Sequence, residues 1–342
     1  MYIETFYSPQ HALHAPPFEL YAGERQPYMD SPQRLSIILG EIQKLGNIKV
    51  YEPKEQPIEL IERVHDQDYI NFLRNFSKTN SAWLFPSIFP ISVIKPEAME
   101  ALLGCYSFET STPVGPDTFK AAKASADVAI TAAQEIIRGQ SVVYALCRPP
   151  GHHSEARKMG GYCYFNNAAL AIAQLADHGK VALLDLDAHH CNGTQSIFYD
   201  RSDVFTVSIH GDPSYSYPYF TGYSNETGVG DGVGYNLNFP VNPQLMDDSC
   251  YDDVLKDALS AIKLFAPNYL VLSMGFDTHK DDPGADFQLT TDYYEQIGDR
   301  VKHLNYPTLI VQEGGYKLDT LGLSAASLLR GFKQNKIIVV NH

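Results

Sequence analysis

Five short apolar runs, each ending in residues that can do chemistry, constrain this chain more than any other feature of its sequence. Val142-Val143-Tyr144-Ala145-Leu146 leads into Arg148-Pro149-Pro150-Gly151-His152-His153. Residues 181–184 lead into Asp185-Leu186-Asp187-Ala188-His189-His190, and residues 204–209 end at His210. Residues 269–273 end at Gly275-Phe276-Asp277, and residues 308–312 end at Glu313-Gly314-Gly315-Tyr316. These runs do not alternate between apolar and polar residues, as expected of strands buried on both faces. Helical patterns lie around them, over residues 119–137, 166–178, 252–265, 293–304 and 323–332, with Gly139 and Gly179 as stops. Strand and helix in alternation predict a doubly wound α/β fold with a mainly parallel sheet.

The first 118 residues are less regular. Residues 35–45 and 65–75 read as helices, and residues 81–96, rich in Pro and aromatics, read as a long loop. No repeat and no linker divides the chain, so a single domain over residues 1–342 is expected. No apolar run approaches the roughly 20 residues of a membrane span. Met1-Tyr2-Ile3-Glu4 lacks the basic start and apolar core of a signal peptide. The five cysteines are scattered and odd in number, which reads as reduced thiols in a cytoplasmic protein. The net charge of −14 argues against nucleic acid as a partner and suits either plain solubility or a cationic substrate.

In open parallel sheets the binding crevice lies outside the carboxyl ends of the strands. One polar strand end is usually a cap or a loop residue. Five together are costly to bury unless they pair. Asp187 and His189, two apart in extended chain, point to one side. With Asp277 they make a nitrogen–oxygen donor set suited to Zn²⁺ or Fe²⁺, with a position open for water. The His152-His153 pair suits general acid and base work beside a metal. By itself such a pair is more often a surface loop or a second metal site. Tyr316 follows Gly314-Gly315, a flexible turn that can bring a phenol to the metal to hold an oxyanion; alone it is one of 22 tyrosines.

Arg148-Pro-Pro-Gly-His-His153, Gly161-Tyr-Cys-Tyr-Phe-Asn-Asn167, Asp185-Leu-Asp-Ala-His-His190 and Glu313-Gly-Gly-Tyr316 resemble the motif set of zinc histone-deacetylase-type enzymes. The resemblance runs from about Ser31 to Gly331 and includes Val64-His65-Asp66. Leu20-Tyr21-Ala22-Gly23-Glu24 and His210-Gly211-Asp212-Pro213 resemble the bacterial acetylpolyamine amidohydrolases. The resemblance implies an arginase/deacetylase fold with an eight-stranded sheet. It implies hydrolysis of N-acetyl amides of small cationic amines or of acetyl-lysine peptides.

Position by position, the resemblance implies zinc on Asp187, His189 and Asp277, with His152 paired to Asp185 and His153 to Asn192. Gly161, Tyr162 and Tyr217 are implied as tunnel lining, with Gly314, Gly315 and Glu109 as further substrate contacts. A structural K⁺ is implied at Asp185, Asp187, His189, Ser208 and Ile209, and a second at Phe198, Arg201, Val204 and Tyr235. A homodimer is implied too, for which the apolar side chains of residues 81–96 are the candidate contact.

Cys191 stands where the family has Gly, which costs on the order of 1 kcal/mol if that position needs φ > 0 and otherwise raises the idea of a redox-sensitive thiol. An acidic rim residue of the polyamine branch falls on Ala98, although Glu97 and Glu100 are close by. The expected rim charges are Glu19, Glu24, Asp30, Glu97, Glu100, Glu109 and Asp117. Two rival readings remain. A two-metal ureohydrolase needs carboxylates where Cys191 and His279 stand. A non-catalytic zinc or acetyl-amine binding protein has no use for His152, His153 and Tyr316 beside the ligands.

Overall fold

The computed structural model describes residues 2–90 and 96–333. Eight parallel strands form one sheet: β1 (Ile3–Phe6), β2 (Ile48–Tyr51), β3 (Val142–Ala145), β4 (Val181–Asp185), β5 (Val204–Gly211), β6 (Asn236–Val241), β7 (Tyr269–Met274) and β8 (Thr308–Gln312). Their spatial order is β2-β1-β3-β8-β7-β4-β5-β6, and every pairing is parallel. The chain builds outward to β6 and then returns to fill the gap between β3 and β4 with β7 and β8. The five strands read from the sequence, β3, β8, β7, β4 and β5, are therefore contiguous, and their carboxyl ends lie side by side.

Both faces of the sheet are covered, which explains why these strands have no exposed polar face and why even Thr206 and Ser208 are buried. Val143, Ala145, Val181, Leu183, Val271, Leu309 and Val311 face helices Thr118–Ile137 and Asn167–Leu175. Tyr144, Ala182, Leu184, Leu270, Leu272 and Ile310 face helices Gln33–Gln43, Asp248–Phe265, Tyr293–Lys302 and Leu318–Gly331. The helices begin on the expected chemistry. Asn166 accepts from the Ala169 amide at 2.9 Å, and Asp247 accepts from Ser249 and Cys250 at 3.1 and 2.9 Å.

Within the 81–96 segment, Trp83 and Phe85 fold back onto the protein. Trp83 packs edge-on against His14, and Phe85 stacks on Phe18 with centroids 4.5 Å apart. Ile88 and Phe89 stay exposed, and Ile91 and Ile94 lie outside the described residues. Among the described residues, no helix is long and apolar enough to cross a membrane.

Candidate active site

Register sets the floor of the site. Asp185, the last residue of β4, lies opposite Ser208 on β5 and Ser273 on β7. Two residues on, Asp187 and His189 leave the strand toward Asp277, which follows β7. His189 Nδ1 lies 3.1 Å from Asp187 Oδ1 and 3.1 Å from Asp277 Oδ2. The donor atoms of these three residues form the one His/Cys/Asp/Glu group with metal-binding spacing among the described residues.

The hydrogen bonds around the trio show why a cation fits. His189 Nε2 donates to the Gly284 carbonyl at 3.2 Å, which leaves Nδ1 to face the two carboxylates; burial opposes a charge on the ring, but those carboxylates overcome it and raise the His189 pKa well above the usual histidine value. Gly314 N donates to Asp187 Oδ2 at 2.8 Å, and Ala188 N donates to Asp277 Oδ1 at 2.9 Å. Asp187 Oδ1 and Asp277 Oδ2 are left facing the imidazole. Both aspartates are buried, and burial together with the Asp187 charge raises the pKa of Asp277. A divalent ion would suit this donor set, one imidazole nitrogen and two carboxylate oxygens gathered within 4.8 Å of one another. The Gly275 and Gly314 backbones crowd the carboxylates so closely that a Cβ on either would meet Asp187 Oδ2, at 2.1 and 2.5 Å.

Above the trio lie His152 and His153, with ring centroids 4.0 Å apart. Their loop hangs from Glu313, whose buried carboxylate accepts from Gly151 N at 2.7 Å, His152 N at 3.1 Å and Ser273 Oγ at 3.2 Å. Burial pushes Glu313 up to about 7. His152 Nδ1 donates to Asp185 Oδ2 at 3.2 Å; burial opposes its charge, but Asp187 and Asp185 overcome this and raise its pKa to about 10. His153 Nδ1 donates to Asn192 Oδ1 at 2.7 Å, and the Asn192 amide nitrogen donates back to the His153 carbonyl at 3.2 Å. Burial and the neighbouring imidazoles hold the His153 pKa well below the usual histidine range, so its Nε2 is free to accept a proton. The adjacent histidines are thus biased to opposite protonation states.

Tyr316 closes the site. Its ring packs against Tyr162, centroids 5.8 Å apart, and under the Arg34 guanidinium at 4.8 Å. Arg34 donates to the Gly315 and Glu313 carbonyls, each at 2.6 Å, while its other end pairs with Asp30. Gly161 has φ +54°, and a Cβ there would sit 2.2 Å from the His153 ring. Only glycine leaves room for the His153 ring at that point. Tyr217 packs edge-on to His153 at 4.9 Å.

Residues 28–332 match the histone deacetylase domain family. This protein belongs to the histone deacetylase family. It is 40% identical over 339 residues to acetylpolyamine amidohydrolase 2 of Pseudomonas aeruginosa, covering 96% of this chain and 98% of that one. Its identity to the acetylpolyamine amidohydrolase of Mycoplana ramosa is 38%, over 96% and 99% of the two chains. The crystal structure of an acetylpolyamine aminohydrolase from Burkholderia pseudomallei superposes with a TM-score of 0.93 at 37% identity, covering 96% of this chain and 98% of that one.

Histone deacetylase family enzymes are generally metal-dependent, in keeping with the Asp187, His189 and Asp277 cluster. Cys191 has φ −78°, so the family's glycine is not needed there for backbone reasons. Its thiol is fully buried and burial raises its pKa, which disfavours the reactive thiolate. His279 accepts from Asp281 N at 3.1 Å and meets Thr291 Oγ1 at 3.0 Å, so both ring nitrogens are occupied away from the cluster. The two-metal reading therefore lacks a ligand on that side.

The expected acidic rim is thinner than its sequence suggests. Asp30 is buried against Arg34 and Arg148, and Glu19 is buried under Tyr162. Glu24, Glu97, Glu100 and Asp117 are exposed. Glu109 is half-buried and accepts from Gly161 N at 3.2 Å and from Thr112 Oγ1, tying it to the Gly161 turn beside His153. Arg34 and Ser273 carry no signal in the sequence as parts of the site, because their partners lie far along the chain.

Proposed function

We propose that this protein hydrolyses N-acetyl amides of small cationic amines with the help of a zinc ion, releasing acetate and the free amine. The observation that carries the reading is His189 Nδ1 held 3.1 Å from a carboxylate oxygen of both Asp187 and Asp277, beside the His152-His153 pair. Asp187, His189 and Asp277 would hold Zn²⁺, with Fe²⁺ as the alternative ion for the same donors. The ion, when bound, would supply Lewis acidity to the acetamide carbonyl and to the attacking water.

The rest is work for the chain's own residues. His153 takes the proton of the attacking water at Nε2, because Asn192 keeps the other proton on Nδ1. His153 then returns that proton to the departing amine nitrogen. The Tyr316 phenol, held protonated because burial raises its pKa, donates to the carbonyl oxygen as charge develops there. His152 is held in place by its Nδ1 bond to Asp185. Gly161, Tyr162, Tyr217, Gly314 and Gly315 would line the tunnel, with Glu109 bracing Gly161.

A K⁺ ion at the main chain of Asp185, Asp187, His189 and Ile209 and the Ser208 side chain would stiffen the floor. A second K⁺ would take the carbonyls of Phe198, Arg201, Val204 and Tyr235. Exposed Ile88 and Phe89 are the starting point for a homodimer contact, and the five unpaired cysteines suit a reducing, cytoplasmic setting.

The names of the similar proteins from Pseudomonas aeruginosa and Mycoplana ramosa favour acetylpolyamines over acetyl-lysine. A side-by-side assay of acetylputrescine, acetylspermidine and acetyl-lysine peptides on zinc-loaded protein tests this. A kcat/KM at least 10-fold higher for the polyamines supports the proposal; the reverse order makes the protein a lysine deacetylase.

A further inference from the structure

The turn after Asp277 carries a carboxylate that belongs to neither the metal cluster nor the histidine pair. Asp282 is 7% exposed. Its Oδ2 accepts from the amides of Tyr316 and Lys317 at 2.6 and 2.8 Å. Its Oδ1 accepts from Gly284 N at 2.8 Å, and its own amide donates to the His279 carbonyl at 2.9 Å. Gly284 is the residue whose carbonyl accepts from His189 Nε2. The Tyr316 ring also lies over Gly284 so closely that a Cβ there would be 2.8 Å from Tyr316 Cδ2. The Lys317 ammonium lies 3.5 Å from Asp319, so the contact of Lys317 with Asp282 is through its backbone. Arg34 holds the carbonyls on either side of Gly314, and Asp282 holds the amides that follow.

We propose that Asp282 is a positioning residue that couples the two halves of the site: through Gly284 it orients His189, and through the amides of Tyr316 and Lys317 it holds the phenol. The proposal rests on the deacetylase reading for what the phenol does, but not for what His189 binds. A carboxylate offers acceptors on both oxygens, and three N–H donors use them. An asparagine amide keeps one acceptor and turns a donor toward N–H groups, so Asp282→Asn must release one side or the other.

The test compares wild type and Asp282→Asn in two ways. Zn²⁺ affinity is measured on metal-free protein by competition with a chromophoric chelator. Steady-state kinetics is measured on the zinc-saturated proteins with acetylputrescine. Asp282→Asn is expected to weaken Zn²⁺ binding about 10- to 100-fold, the usual cost of losing an outer partner of a metal ligand. It is also expected to lower kcat at least about 10-fold with KM changed less than about 3-fold. In a Tyr316→Phe background the same change should cost much less kcat, because the phenol it positions is gone.

If Asp282→Asn does not fold by circular dichroism, Asp282→Ser, which keeps one acceptor, takes its place in both measurements. Wild-type Zn²⁺ affinity and kcat in a folded variant overturn the proposal and leave the deacetylase reading standing. Wild-type protein that binds Zn²⁺ but cleaves no acetylated amine overturns that reading, and the affinity comparison still decides on Asp282.

Discussion

His153 donates its Nδ1 proton to the side-chain oxygen of Asn192 across 2.7 Å, and Asn192 is in turn fixed by a bond back to the His153 carbonyl. This pairing decides which imidazole nitrogen is basic. Asn192→Ala frees the ring to take the other tautomer and should lower kcat by at least about 10-fold, within the range set by general base catalysis. Asn192→Asp keeps the acceptor but adds a charge that favours the imidazolium, so the acidic limb of kcat/KM should move to higher pH. A pH–rate series on both variants checks the two outcomes together. Equal profiles for all three proteins would remove His153 as the base.

Tyr316 is expected to act on the transition state rather than on substrate binding. Tyr316→Phe should leave KM nearly unchanged and lower kcat by roughly 10²-fold, the usual loss for one oxyanion donor. The Arg34 and Tyr162 contacts to the ring do not involve the hydroxyl, so the variant keeps its packing. An unchanged kcat on an acetylated amine would refute the role.

Much of this arrangement was legible in the sequence because strand ends converge in a parallel sheet. The five short apolar runs are the five contiguous strands, and the groups they carry meet at one edge. The other three strands were silent for physical reasons. β2 and β6 are edge strands that are half exposed and interleave Lys49, Asn236 and Asn238 with their apolar residues. β1 is four residues long and includes Glu4 and Thr5.

The buried acid Asp282 owes its role to the backbone amides of Gly284, Tyr316 and Lys317, which leave no side-chain pattern to read. Asp30 and Glu19 looked like rim charges because a sequence does not show which acidic residue meets a buried arginine or tyrosine.

Glu19 gives a stability prediction with a definite sign. Burial raises its pKa from 4.5 to about 7, against the hydrogen bonds from Met29 N and Tyr162 Oη. Between these values the folded protein holds more protons than the unfolded chain, so stability falls as pH rises from about 4.5 to 7 and then levels. Glu19→Gln cannot ionise and escapes this loss. Its urea midpoint should gain on that of wild type between pH 5 and pH 8, by the equivalent of about 2 to 3 kcal/mol. A constant difference across that range would show that Glu19 titrates normally.

The exposed acids Glu24, Glu97, Glu100 and Asp117, within a net charge of −14, should steer cations toward the site. An acetamide with a distal ammonium should have a lower KM than a neutral acetamide of equal length, with similar kcat. The advantage should shrink as salt rises from about 0.05 to 0.5 M, where the Debye length drops below about 5 Å. A salt series on the matched pair measures it. Equal KM and equal salt dependence would mean that the acidic surface only keeps the protein in solution.

Everything in the proposed chemistry depends on one ion held by Asp187, His189 and Asp277. The most direct measurement is metal content and turnover of acetylputrescine on the same preparations of wild type and Asp277→Ala, after loading with Zn²⁺ and desalting. Wild type is expected to retain about one zinc per chain in its catalytic site and to turn over. The variant, left with two ligands, is expected to lose both, since three protein ligands are the usual set for such a site. A folded Asp277→Ala protein that keeps full zinc and full turnover would contradict the metal assignment and the mechanism built on it.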